Sequence, residues 1–328
     1  MSTDTARTAP AAGPTSPASV AERPRPAEGF HDGELAVQRR AGVTAEAARL
    51  SGMLAPGELR GGISRFLADR TFAVLTGRDQ HGRLWTSPVT GRPGFLDPTA
   101  VTTLTVHTTP VAGDPLHGLP VGQPVGLVVV EFATRRRVRI NGTLAAAGEG
   151  TLQIAVEQAY GNCPQYIQQR TLQLEATPAH DPVAPERRSS LTAEDDEIIR
   201  AADTFFVGTH HPTRGTDASH RGGPPGFVRI DSGRLWWPDY SGNNMFNTLG
   251  NLAVDSSAAL LFADFTTGRT LQLSGTAAVD WTPHDVPGDD DGTGRRVHFT
   301  PESVVAGRLL PLHAAATAAY PYNPQLTD

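Results

Sequence analysis

The sequence predicts a mainly β protein with minor α content, built as two antiparallel barrels in tandem. Three observations carry that expectation. The 328-residue chain is 38% hydrophobic but holds 34 Gly and 27 Pro, a balance that favours turns and short strands over long helices. The chain repeats itself at the size of a domain, far beyond a solenoid period. The repeated segments alternate apolar and polar residues with the period of two that marks half-buried strands.

The first residues of the chain are rich in Ala, Pro, Ser and Thr and lack an apolar core segment. Residues 1–29 are therefore expected to form a disordered tail, not a signal peptide. The first barrel is expected over residues 30–180. Its leading helix is GGISRFLADRTF, followed by TFAVLTGRDQHGRLWTSPVTGRPGFL from Thr71. The second copy, TFFVGTHHPTRGTDASHRGGPPGFVRI, starts at Thr204, an offset of 133 residues. The Pro-Gly-Phe triplets at Pro93 and Pro225 are only 132 apart, so one residue is lost between the copies.

Downstream, EFATRRRVRINGTLA from Glu131 matches DFTTGRTLQLSGTAA from Asp264, again at 133. Apolar runs at 125–132 and 258–265 read as strands, each leading through a short turn into an alternating strand. Gly142 and Gly275 interrupt those alternating strands and predict a bulge or a close backbone approach. The Pro- and Arg-rich segment 181–190 reads as a linker, with the second barrel over 191–328. Thr192, with Asp195 three residues later, starts a helix in capping-box fashion. Asp231-Ser232-Gly233 predicts a hairpin turn. A further helix is expected over 245–253. Two such barrels in one chain would mimic a symmetric dimer.

Several functions are excluded by composition. The chain has no lysine, so all 28 basic residues are arginine. A lysine Schiff base and a Walker-A phosphate loop are both impossible. Cys163 is the one cysteine, which rules out an intrachain disulfide and a multi-cysteine zinc site. The net charge is −6 and no basic run exceeds three residues, which argues against nucleic acid as a partner. No apolar run approaches a membrane span of about 20 residues, so the expectation is a cytoplasmic protein. The hydrolase motifs G-x-S-x-G and H-E-x-x-H do not occur.

The sharpest candidate cluster is Ser219, Arg221, Gly222 and Gly223. Arginine offers a planar fork for phosphate oxygens, and glycines let backbone N–H groups come close. Ser87 of the first copy matches Ser219, but Val89 stands where the second copy has Arg221. Conversely, the first copy carries Arg135, Arg136 and Arg137 against Gly268, Arg269 and Thr270. The expectation is one good anion site per chain, with the first copy's arginines either covering it or forming a solvated turn. His210 and His211 diverge on a strand and make a poor ligand pair, so no metal site is expected. Only one of Trp236 and Trp237 can face inward. Cys163 reads as a small buried residue, not a nucleophile.

The segments SHRGGPPGFV, PDYSGNNMFNTLGNLAVDSSAALLFADF and RTLQLSGTA, with GRLWTSPVTGRPGF and AYGNCPQYIQQR of the first copy, resemble the FMN-binding split-barrel family related to pyridoxamine 5'-phosphate oxidase. The similarity runs over about residues 30–320. It implies Greek-key split barrels forming a pseudo-dimer, with FMN at their interface. It also implies that Ser219, Arg221, Gly222, Gly223, Asn243, Asn244 and Arg269 bind the cofactor. The family's enzyme for pyridoxamine phosphate uses lysines at its phosphate sites, and this chain has none.

The reading is therefore an FMN-binding flavoprotein, an FMN-dependent oxidoreductase with unassigned substrate and unassigned catalytic residues. The alternatives are an F420-dependent reductase or a non-catalytic flavin or haem binder. NAD(P)H or a redox protein is the expected partner, and the assembly is a monomeric pseudo-dimer or a homodimer.

Overall fold

A computed structural model describes residues 29–55, 57–175, 185–282 and 289–326. The expected tail therefore lies outside the described residues except for Gly29, as do residues 181–184 of the expected linker. The first barrel is preceded by α1 (Asp32–Arg40), α2 (Thr44–Ala48) and α3 (Gly62–Ala68). It comprises β1 (Phe72–Arg78), β2 (Leu84–Thr90), β3 (Leu96–Ala100), β4 (Thr103–Val106), β5 (Pro124–Glu131), β6 (Arg136–Gly148) and β7 (Thr151–Asn162). Then follow β8 (Gln169–Leu174), β9 (Glu186–Arg188) and α4 (Ala193–Ala201).

The second barrel holds β10 (Thr204–His211), β11 (Gly215–Gly222), β12 (Arg229–Asp231) and β13 (Arg234–Pro238). It continues with α5 (Asn247–Leu252), β14 (Ser257–Ala263), β15 (Thr270–Trp281) and β16 (Arg295–Gly307), and β17 (Leu312–Ala318) follows.

The two sheets share one topology. The first runs β2-β1-β5-β6-β7-β4-β3 and the second β11-β10-β14-β15-β16-β13-β12, every pair antiparallel. The fold is thus mainly β, two antiparallel barrels of the split-barrel kind in tandem. The linker is not wholly irregular, because Glu186–Arg188 adds β9 to the edge of β16.

Register refines the repeat. Val128 and Leu261 are 133 apart, but their partners Val74 and Phe206 on the preceding strands are 132 apart. The Thr71/Thr204 match is therefore displaced by one residue. A one-residue slip turns every side chain to the other face. At 132, Leu75 and Val207 both face their own barrel core, whereas Val74 and Phe206 both face the neighbouring barrel. The hairpin partners confirm the pairing of Ser87 with Ser219 and of Val89 with Arg221, since Leu75 opposes Ser87 and Val207 opposes Ser219.

Other local expectations hold. The ladders of β6 and β15 shift register at Asn141/Gly142 and Ser274/Gly275. At each, a Cβ would stand about 2 Å from the facing carbonyl, 2.2 Å from Ala155 O and 2.1 Å from Thr300 O, so only glycine fits. Thr192 caps α4 with a full capping box through Asp195. Asp231 and Arg234 close the predicted hairpin, with Ser232 and Gly233 at positive φ. The helix expected at 245–253 is shorter, Asn247–Leu252, because Phe246 adopts a left-handed conformation ahead of it.

The two barrels share a third core. Phe72, Val128 and Phe132 of the first pack with Phe206, Leu261 and Phe265 of the second. Gly126 lets β5 approach β11, since a Cβ there would lie 2.7 Å from Ala218 N. The helix α1 crosses over and packs on α5 of the second barrel. Gly33 and Gly250 make that contact possible, because a Cβ on Gly33 would sit 2.2 Å from Gly250 O. The structure describes no helix long and apolar enough to cross a membrane.

Candidate functional site

A narrow cleft, open to solvent, lies between the barrels. Its positive wall comes from both copies. Arg137 and Arg139 project from β6 of the first barrel, and His220 and Arg221 from β11 of the second. They meet because the polar face of β6 is turned away from its own core and against β11.

Arg139 is buried and donates to Asp217 Oδ2 at 3.0 Å and to Ser219 Oγ. Arg221 donates to Ser219 Oγ at 2.8 Å and lies 3.9 Å from Asp239. Asp239 is already engaged by Arg295 at 2.8 Å. Arg137 donates to Nδ1 of His220 at 3.0 Å. Arginine can only donate, so Nδ1 of His220 is bare and its proton sits on Nε2. Burial, then the cations around it, hold His220 well below its ordinary pKa, so it is neutral. Burial, then Arg139 and Arg221, also lower Arg137, so its positive charge is poorly compensated.

The unsatisfied donors identify what the wall lacks. The Nε atoms of Arg137, Arg139 and Arg221, His220 Nε2 and Thr248 Oγ1 are buried without a partner among the described residues. Buried polar groups are almost always paired. With Tyr240 Oη they make six orphans around one cleft, four of them N–H donors, and fit a ligand with several anionic oxygens. The opposite wall is aromatic and polar. Tyr166 and Tyr240 have ring centroids 5.0 Å apart, and Phe246 lies close by. Tyr166, Asn244 and Phe246 all have positive φ, 60–61°. Such strain, of order 1–3 kcal/mol per residue, gathers at ligand sites.

The residues expected from sequence divide into three groups. Arg221, Gly222, Asn243 and Asn244 line the cleft. Asn243 reaches across to the first barrel through Asn162 Oδ1 at 2.7 Å. Ser219 and Gly223 lie behind it. Ser219 is fully buried and accepts from both Arg139 and Arg221. Gly223 spends its N–H on Asp203 O at 3.1 Å, and a Cβ on it would strike the Phe227 ring at 2.6 Å. Gly222 is explained the same way: a Cβ would stand 2.0 Å from Tyr166 O. Packing alone therefore requires glycine at both positions. Arg269 is elsewhere, paired with Glu194 at 3.1 Å on an exposed surface.

Of the arginine triplet, Arg137 enters the cleft and is not part of a solvated turn. Sequence reasoning missed Arg139, His220 and Thr248, which line the cleft. A signal existed for Arg139. It faces outward on a central strand, where an outward arginine needs a partner surface. Trp237 is in the core, while Trp236 packs at the surface against Arg296, and neither reaches the cleft.

The pseudo-equivalent position between the barrels holds a different polar cluster. Gln272 donates to Ser87 Oγ at 2.9 Å, the counterpart of the Arg139–Ser219 contact. There Thr270, Gln272 and Val89 replace Arg137, Arg139 and Arg221. A built-in carboxylate, Asp114, accepts from Ser87 at 2.6 Å, from Leu116 N at 2.7 Å and from Gln272 at 3.1 Å. Asp114 is buried, and burial raises its pKa to about 6.

Residues 191–285 match the family model described as Pyridoxamine 5'-phosphate oxidase, which relates the chain to that family through its second barrel. A comparison with curated proteins gives no match. Among solved structures, the chain is similar to a putative pyridoxamine 5'-phosphate oxidase from Lactobacillus delbrueckii, with 15% identity, 37% of this chain and 97% of that one covered, and a TM-score of 0.30. It is also similar to an FAD binding protein from Mycobacterium smegmatis, at 8% identity, 39% and 100% coverage and TM-score 0.26. A structure titled F420 Reductase shows 12% identity, 38% and 94% coverage and TM-score 0.25.

Proposed function

We propose that this chain, related through residues 191–285 to the pyridoxamine 5'-phosphate oxidase family, binds FMN non-covalently between its barrels and works as an FMN-dependent oxidoreductase. The observation that carries the reading is the set of orphaned Nε donors of Arg137, Arg139 and Arg221 around one cleft. A phosphate dianion satisfies several of them at once.

In this reading Arg137, Arg139 and Arg221 hold the phosphate. Ser219 and Asp217 fix the angle of Arg139, and Ser219 also steadies Arg221. Asn243 and Asn244 form the neighbouring wall, with Tyr166 and Tyr240 as an aromatic face. When bound, FMN supplies hydride or single-electron chemistry, and the chain contributes binding, orientation and electrostatics. His220, neutral and with its proton on Nε2, is a hydrogen-bond donor inside the cleft. At the twin position Gln272 and Asp114 stand where the arginines of the site would be needed, so one FMN per chain is expected. The two barrels already form the pair that encloses the site, so a monomer suffices for binding.

The test is direct titration of purified protein with FMN, F420 and haem. Quenching of flavin fluorescence with micromolar or tighter affinity for FMN, together with NAD(P)H-dependent bleaching of the bound flavin, supports the proposal. Tighter binding of F420 or a Soret band instead moves the assignment to that cofactor. Failure to bind any of the three removes the reading.

A further inference from the structure

The cleft does not stop at Arg137. Across Asn162, Cys163 and Asn243 it continues into a wider chamber on the first barrel, open to solvent. Its floor is apolar: Ile63 and Phe66 of α3, Val138 of β6 and Met53, which is 37% exposed despite its apolar side chain. Its rim is cationic. Arg135, Arg136 and Arg137 stand side by side at the start of β6, and Arg60 faces them.

No carboxylate lines this chamber. Arg60 is paired with Glu58, but Arg135, Arg136 and Arg137 carry no ion pair among the described residues. Arg135 is tied to the carbonyls of Ile167 and Ala319, whereas the Arg136 guanidinium lies over the Phe66 ring at 5.3 Å. An apolar floor, exposed at Met53 and half-buried at Ile63, beneath cations that carry no ion pair is complementary to an organic anion with an apolar body.

We infer that this chamber binds an amphipathic organic anion, an aryl or aliphatic carboxylate or sulfonate, with its apolar body on Ile63, Phe66 and Met53 and its anionic group on Arg136. The chamber shares Arg137, Asn162, Cys163 and Asn243 with the cofactor cleft, so this ligand would lie beside the cofactor as the substrate. That substrate role rests on the FMN reading, but the binding itself does not.

The probe is 1-anilinonaphthalene-8-sulfonate, with N-phenyl-1-naphthylamine as its uncharged analogue. Both are titrated by fluorescence against the full chain, with and without FMN. Expected is tighter binding of the sulfonate, weakened at least fivefold by Arg136→Glu while the neutral probe changes less than twofold. Arg234→Glu, on a remote hairpin, should alter neither. In the unaltered protein, salt raised from 50 to 500 mM should weaken only the sulfonate, because screening acts on the charge. Equal effects on both probes, or no effect of salt, overturn the inference even if FMN binds. Failure to bind FMN with the charge-selective pattern intact leaves the chamber standing and removes the cofactor reading instead.

Discussion

Arg139 of the first barrel and Asp217 of the second form a buried ion pair of 3.0 Å, both side chains less than a tenth exposed. The pair ties the two barrels together at the base of the cleft. It is also what holds one wall of the anion site in place, because the same guanidinium reaches Ser219.

Removing one partner of such a pair strands a buried charge, at a cost of about 3–5 kcal/mol. Arg139→Ala should therefore lower the unfolding free energy by that order. The double variant Arg139→Met, Asp217→Leu should recover part of it. Urea denaturation of the three proteins checks this. A single variant as stable as the parent would mean that the pair does not hold the barrels.

Arg221 sits at the proposed phosphate position, and a charge-assisted hydrogen bond contributes about 1.5–3 kcal/mol. Arg221→Ala should weaken FMN about 10- to 100-fold. Riboflavin, which has no phosphate, should bind the variant and the parent alike. Equal losses for both ligands would show that Arg221 supports the fold of the cleft, not the phosphate.

Glu34 gives a pH dependence with a definite sign. Burial raises its carboxyl from 4.5 to about 7, against the hydrogen bonds from His31 and Asn247. The folded state then holds the proton more tightly than the unfolded chain. Its contribution to stability is full below about pH 4.5 and is lost as pH rises through 7. His31 slopes the other way, because burial, His211 and Arg214 lower it from 6.5 to about 4. Its contribution is present above pH 6.5 and fades as pH falls through 4. Glu34→Gln removes only the first slope. Urea unfolding at pH 5 and pH 7 should show the variant gaining about 2 kcal/mol relative to the parent over that interval. Parallel profiles would contradict the assignment.

Gly222 is held against the carbonyl of Tyr166, which a Cβ would approach to 2.0 Å. Gly222→Ala should therefore cost about 1–3 kcal/mol, as overpacking does. Differential scanning calorimetry would read it as a lower Tm, and no change would mean that the Tyr166 segment moves freely.

The twin position, with Gln272 and Asp114 in place of arginines, predicts one FMN per chain. Flavin absorbance against protein concentration, after saturation and removal of free ligand, should give a ratio near one. A ratio of two would require Asp114 to leave its bonds to Ser87, Leu116 and Gln272.

Much of the architecture is determined by local sequence. The alternating strands, the bulges at Gly142 and Gly275, the Thr192 cap and the turn at Ser232-Gly233 are each fixed by neighbours a few residues away, so they are legible in one dimension. The repeat gives the number of barrels, and comparison of its copies singles out Arg221. What tertiary structure alone decides is which polar faces meet. Arg139 looks like a solvent residue on an alternating strand, and Arg269 looks equally able to reach a ligand. The first is buried against Asp217 and Ser219, whereas the second turns to Glu194 at the surface. The glycines beside Arg221 likewise need the Tyr166 carbonyl and the Phe227 ring to explain them. Sequence sets the period and face of each strand, but the partner of an outward face lies more than 70 residues away, and only packing of one barrel on the other supplies it.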